Sequence, residues 1–242
     1  MSPLEPTGSR TMIRNGTYGG CHSNHGIASL HDQSQIRRTI RAQRSSLTTK
    51  QQLQNSRAMR RILTRSKLFR NSKRIALYLE ADGEIAISQL IPLIKHHKKS
   101  TYLPVLHPLP PNRLWFSEYR PGDKLIHNKY GIAEPNIIKR KPILPSSLDL
   151  VLVPLVAFDC NCNRVGMGGG FYDRTFSFIN KQNAYNKPKL IGIAHELQRV
   201  TSIQTNPWDI QLDGVVTESK FYMRNSSNKI FEHKSKKIEN NS

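Results

Sequence analysis

The sequence predicts an α/β fold, a three-layer sandwich with a mainly parallel central sheet and basic helices toward its N-terminus. Three observations predict it. Short apolar runs at 74–79, 100–106, 114–119, 150–156, 189–194 and 214–217 alternate with segments of helical apolar spacing, the order in which crossover helices lay strands side by side. The run at 150–156 is rich in valine, as a strand buried on both faces requires. Leu79, Glu84, residues 159–170 and His195 all follow the C-terminal ends of such runs, and that rim is where open α/β sheets bind ligands.

Composition bounds the class of function. The chain has 242 residues, enough for one sizeable domain, read here as 34–223. A net charge of +20 suits a polyanion partner and equally suits a lysine-rich background, so a basic nucleic-acid-binding protein is the alternative to an enzyme. Cys21, Cys160 and Cys162 make no even disulfide framework and point to a reducing compartment. Cys160-Asn-Cys162 is too closely spaced for a zinc knuckle and reads as turn. No apolar run reaches the ~20 residues of a membrane span, and residues 1–33 carry no apolar signal core. The expectation is a cytoplasmic monomer that binds no membrane and binds nucleic acid only nonspecifically.

Taken in order, residues 1–33 are polar and lack apolar periodicity, so they are expected to be a disordered or loosely attached extension. Cys21, His22, His25 and His31 lie in that segment and have no surroundings to hold them as a metal set. From Gln33 to Arg74 there are thirteen Lys and Arg residues and no acid. Ile36, Ile40, Leu47, Leu53, Met59, Ile62, Leu63 and Leu68 recur at near-helical spacing. The expectation is one or two amphipathic helices, broken at Ser46-Leu-Thr-Thr, with Thr48 or Thr49 as cap. Arg37, Arg38, Arg41 and Arg44 cluster on the first helix, as a solvated face, a phosphate clamp or a nucleic-acid footprint.

Residues 74–79 read as a strand, 81–83 as a turn, and Glu84 as the residue before a helix of Ile85, Ile87, Leu90, Ile91 and Ile94. Glu84 there either faces a ligand or favours the helix N-terminus. Residues 100–106 and 114–119 are strands, and 128–135 is a loop. In it Tyr130 and Glu134 either wall a flat heterocycle or pack and cap. After the central stretch, 189–194 is a strand and 206–213 a loop with Asp209 and Asp213, each able to ligate a metal or cap a turn. Residues 214–217 form a short strand, and 224–242 a polar, lysine-rich tail.

The stretch 151–176 organises the rest. A buried strand is broken by Asp159, Asn161 and Asn163, and Arg164-Val-Gly-Met-Gly-Gly-Gly-Phe-Tyr-Asp173 then leads into a helix. Glycine amides feeding a helix N-terminus make an anion site. Arg164 can add a bidentate phosphate contact, and Asp173 the hard oxygen that nucleotide-bound Mg2+ takes. The stretch is neither a Walker A loop nor a Gly-x-Gly-x-x-Gly turn. A glycine turn needed only for strand-to-helix geometry remains the other reading.

Val-Pro-Leu-Val-Ala-Phe-Asp followed by Asn-Arg-Val-Gly-Met-Gly-Gly-Gly-Phe-Tyr-Asp-Arg resembles the signature of 5-formyltetrahydrofolate cyclo-ligases, also called methenyltetrahydrofolate synthetases. Ile-Arg-Arg-Thr-Ile-Arg-Ala-Gln-Arg, Tyr-Leu-Pro, Tyr-Gly-Ile-Ala-Glu-Pro and Trp-Asp-Ile extend the resemblance from about Ile36 to Ser219. It implies an ATP- and Mg2+-dependent enzyme that converts 5-formyltetrahydrofolate to 5,10-methenyltetrahydrofolate, releasing ADP and phosphate. Arg164 and Asp173 are implied as catalytic. Gln33, Arg37, Arg164, Val165, Gly166, Met167, Gly168, Gly169, Gly170, Phe171 and Tyr172 are implied to bind ATP. Leu79, Glu84, Tyr130 and Met167 through Phe171 are implied to meet the folate, and Asp173 and Asp209 the metal. Three positions depart from the family pattern: Gln33 stands for a lysine, Met167 for an arginine or aromatic, and Phe171 for a tyrosine. A relative that binds nucleotide or folate without turnover is a further alternative.

Overall fold

The computed structural model describes residues 32–109, 112–180 and 187–224. Residues 1–31 and 225–242, which hold most of the expected extension and tail and the Cys21, His22, His25 and His31 group, lie outside the described residues. At the edges of those segments, Asp32 and Arg224 are built into the fold. The Asp32 carboxylate accepts from the Ser34 N–H and caps α1 (Gln33–Ser45), and the Arg224 N–H donates to the Asp213 carbonyl.

The expected break at 46–49 is present. α2 (Thr49–Arg65) opens on a full capping box, with the Thr48 side chain accepting from the Gln51 N–H and the Gln51 side chain accepting from the Thr48 N–H. A further short helix, α3 (Lys67–Asn71), capped by Ser66, was not expected. Strand β1 is shorter than expected, Arg74–Ala76, and Leu77 continues it with one hydrogen bond to the Tyr102 carbonyl. The helix after Glu84 begins late. A single 3-10 turn at Ser88–Leu90 precedes α4 (Ile91–His96), so Glu84 does not sit at a helix N-terminus.

β2 (Ser100–Leu106) and β3 (Leu114–Tyr119) pair antiparallel. The expected loop at 128–135 is mostly a hairpin, β4 (Leu125–His127) with β5 (Ala133–Pro135). It turns on Asn128, whose side-chain oxygen accepts from the Tyr130 and Ile132 N–H groups. β6 (Leu150–Pro154) is the central strand, followed by the small hairpin of β7 (Ala157–Phe158) and β8 (Arg164–Val165). Then come α5 (Phe171–Phe176), β9 (Lys189–Ile193), β10 (Gly214–Val216) and an unanticipated β11 (Phe221–Met223).

The seven-stranded sheet runs β11-β10-β9-β6-β1-β2-β3. Its five inner strands are parallel and both edges are antiparallel. Alternate residues of β6 serve opposite faces. Leu150 and Leu152 join Met59, Leu63, Ile75, Ile87 and Ile191 under α2–α4. Val151 and Val153 join Phe116, Phe176, Leu212 and Val215 under α5. α1 seats Ile36 and Ile40 against Val156, Ala157, Val165, Val200 and Ile203. These contacts bring α1, the first helix among the described residues, across the C-terminal rim of the sheet.

Candidate active site

The hairpin that leads into the glycine loop is fixed at its turn. Asp159 receives hydrogen bonds from the N–H groups of Asn161, Asn163 and Ile203 and from the Asn163 side chain. Asp159 therefore builds the β7–β8 turn. Gly168 and Gly170 have φ +97 and +63, conformations that a side chain would strain. Gly170 is the N-cap of α5 and has no capping side chain, so the turn leaves α5 with backbone donors at its start. The Arg174 guanidinium closes over this turn, donating to the carbonyls of Asn112 and Gly169.

Arg37 reaches the loop from α1. Its Nε donates to the Gly166 carbonyl at 2.8 Å, and its Nη2 to the Gln33 side-chain oxygen at 2.9 Å. Gln33 thus steadies Arg37 where the family pattern has a cation.

Arg164 differs from the sequence expectation. Its Nη2 lies 2.6 Å from Asp173 Oδ1, and Nη1 donates to the Ile210 carbonyl. Asp173 Oδ1 also accepts from the Ile210 N–H at 3.1 Å. Arg164 and Asp173 therefore lock β8, α5 and the loop after β9 together, and two guanidinium nitrogens that sequence reasoning gave to phosphate are engaged. Asp209 Oδ2 accepts from the Asn206 N–H at 2.8 Å and closes its own turn. Among the described residues no group of three or more His, Cys, Asp or Glu could hold a metal ion. Two carboxylates on one cleft fit an Mg2+ that arrives with nucleotide phosphates, since such an ion keeps water and phosphate oxygens as its other ligands.

On the same cleft, Glu84 accepts from the Ala81 N–H at 3.2 Å. Burial pushes its carboxyl up to about 7. Tyr130 is exposed and meets the edge of the Phe171 ring at 6.1 Å. Glu134 accepts from the Leu106 N–H and the Asn128 side chain, tying the hairpin to the end of β2.

One cleft of about 1140 Å³ gathers Gln33, Arg37, Leu79, Glu84, Tyr130, Arg164, Gly166 through Asp173, and Asp209. Several sequence candidates stand apart from it: Asp159, Asp213, which pairs with Lys189 and Arg224, Val165 and His195. The Val165 side chain is buried in the α1 cluster, away from the cleft. His195 is fully buried beside Asn55, whose side-chain nitrogen is 3.0 Å from its Nδ1, and burial drives its pKa down to about 4. Sequence reasoning missed Arg44, Tyr78 and Trp208 as cleft residues. Arg44 stood out only as one of four arginines on a helix, and nothing in the local pattern marks it as the buried one.

The fold and the site define a class: a parallel α/β domain with a glycine-rich strand-to-helix turn, an arginine laid across it, and carboxylates sharing one large cleft. The sequence model of the 5-formyltetrahydrofolate cyclo-ligase family matches residues 29–218, and the chain belongs to that family. It is 40% identical over 181 residues to the 5-formyltetrahydrofolate cyclo-ligase of Haemophilus influenzae, covering 74% of this chain and 94% of the relative. It is 39% identical over 184 residues to that of Escherichia coli K12, covering 76% and 98%. Among solved structures it resembles the 5,10-methenyltetrahydrofolate synthetase of Aquifex aeolicus, with a TM-score of 0.68 at 27% identity over 80% of this chain and 93% of that one. The Mycoplasma pneumoniae 5,10-methenyltetrahydrofolate synthetase shares the fold, with a TM-score of 0.60 at 22% identity.

Proposed function

We propose that this chain closes 5-formyltetrahydrofolate to 5,10-methenyltetrahydrofolate at the expense of ATP. The observation that carries the reading is the one cleft lined together by the glycine loop, Arg37, Glu84, Leu79 and Tyr130. The formyl oxygen attacks the γ-phosphorus, and ADP leaves. N10 then adds to the activated formyl carbon, N10 gives up its proton, and the carbon–oxygen bond breaks as phosphate departs.

Such chemistry asks little covalent help of side chains. It needs two substrates in line and the developing charge neutralised. In this reading the loop amides of 166–170 and Arg37 cradle the triphosphate. Arg164 keeps Asp173 in place, and Asp173 and Asp209 would hold Mg2+. When bound, that ion would neutralise phosphate charge. Glu84 hydrogen-bonds the pterin, while the T-shaped pair of Tyr130 and Phe171 supplies an aromatic wall beside the flat heterocycle.

An alternative nucleic-acid role rests on the charge alone and accounts for none of these cleft residues. Among the described residues no helix is long and apolar enough to cross a membrane, and the cysteine usage supports a cytoplasmic setting. The test is absorbance in the near ultraviolet, where the methenyl product absorbs. Folded protein with Mg-ATP and 5-formyltetrahydrofolate gives the chromophore, and omission of ATP abolishes it. Folate binding with no ATP-dependent product would indicate a relative without turnover.

A further inference from the structure

Beneath the folate side of the cleft lies a charged residue that the reaction scheme does not use. Arg44, at the C-terminal end of α1, is 1% exposed yet borders the cleft. Its Nη2 pairs with Asp82 at 2.7 Å and its Nη1 lies 3.9 Å from Glu84 Oε1. Nε and Nη1 have no hydrogen-bond partner. A guanidinium this deep is costly with donors unmet, which argues for use on ligand binding, when loose contacts in a site tighten. The turn above it is also unusual. Asp82 and Gly83 both have positive φ, 52 and 71, and a side chain at Gly83 would press on the Arg44 carbonyl at 3.3 Å.

We propose that Arg44 is a positioning residue for the folate: from 3.9 Å it keeps the Glu84 carboxyl facing the cleft and favours its charged form, as the acceptor for the pterin. This rests on the folate reading above. Every charged or titratable group around Glu84 bears on the point. Arg44 and the Ala81 N–H draw its pKa down, against the larger effect of burial, while Asp82 and Glu80 push it up. Tyr78 and Tyr172 also feel its charge, and burial raises both phenols above their ordinary range, so both are neutral. His195, against the Gly83 backbone, is held neutral by burial. Arg44 is thus the cation that opposes the burial of Glu84. α1 keeps its seat without it, through Ile36 and Ile40.

The test compares Arg44→Met and Asp82→Asn by kcat/KM against pH. Arg44→Met lowers kcat/KM for 5-formyltetrahydrofolate about tenfold at neutral pH and moves the acid limb up by about one unit, leaving KM for Mg-ATP within about twofold. Asp82→Asn removes the opposing charge and moves the limb down. Asparagine tolerates the positive φ at 82, so this variant decides the sign even where Arg44→Met fails to fold. A limb that stays in place, limbs that move in the same direction, or an equal rise in KM for Mg-ATP would overturn the proposal. Wild-type protein that makes no chromophore would instead remove the folate reading itself.

Discussion

Arg164 Nη2 and Asp173 Oδ1 stand 2.6 Å apart, with the Arg164 side chain only 7% exposed. The pair joins the strand before the glycine loop to the helix after it. Asp173 then has two tasks, holding Arg164 and, in our reading, meeting Mg2+.

Asp173→Ala is expected to cost more than turnover. It leaves a largely buried guanidinium without its charged partner, so denaturant unfolding should show a loss of about 1–3 kcal/mol. Product formation should fall by about a hundredfold or more if the carboxylate also serves the metal. Full stability with lost turnover would assign Asp173 to the metal alone.

Gly168→Ala places a β-carbon at φ +97, 4.0 Å from the Arg37 guanidinium carbon. The strain is expected to cost about 1–2 kcal/mol. KM for Mg-ATP should rise well above that for the folate. Equal change in both, read from initial rates, would detach this loop from the nucleotide.

Glu84 and His195 give opposite slopes of stability against pH. Glu84, raised to about 7, binds more protons folded than unfolded, so its contribution is present below about 4.5 and lost as pH rises through 7. His195, lowered to about 4, binds fewer protons folded, so its contribution is present above about 6.5 and lost as pH falls through 4. Between about 4.5 and 6.5 the two oppose each other. Glu84→Gln should therefore steepen acid destabilisation over this window in urea titrations, and should stabilise the chain near pH 8 by about 3 kcal/mol. An unchanged slope would show that burial does not perturb this carboxyl.

Thr48→Ala removes a capping box remote from the cleft. It should cost about 1 kcal/mol of stability and leave kinetic constants within about twofold. A larger kinetic change would mean that the α1–α2 junction governs the site.

The glycine loop was legible because residues without a β-carbon, after a buried valine-rich strand, have few physical uses. The break at 46–49 was legible because Thr48 or Thr49 can cap a helix, and the structure uses Thr48; the buried run at 150–156 was legible from its valines, and residues 150–154 form β6. Arg44 was not. It shares a helix with Arg37, Arg38 and Arg41, and only the packing of α1 against the turn at 81–84 singles it out. The hairpin at 125–135 hid behind Asn128, Tyr130 and Gly131, which read as loop residues although Asn128 organises a turn. Arg164 read as a phosphate ligand, and its pairing with Asp173 and the Ile210 carbonyl depended on the chain folding those residues back onto it.

In the proposed reaction, nucleotide and folate meet in line within one cleft, and the formyl oxygen takes the phosphoryl group. Substrate labelled with 18O at the formyl group tests this most directly, by mass analysis of the released phosphate. One label per phosphate is predicted, in step with methenyl product. Unlabelled phosphate alongside product would contradict it.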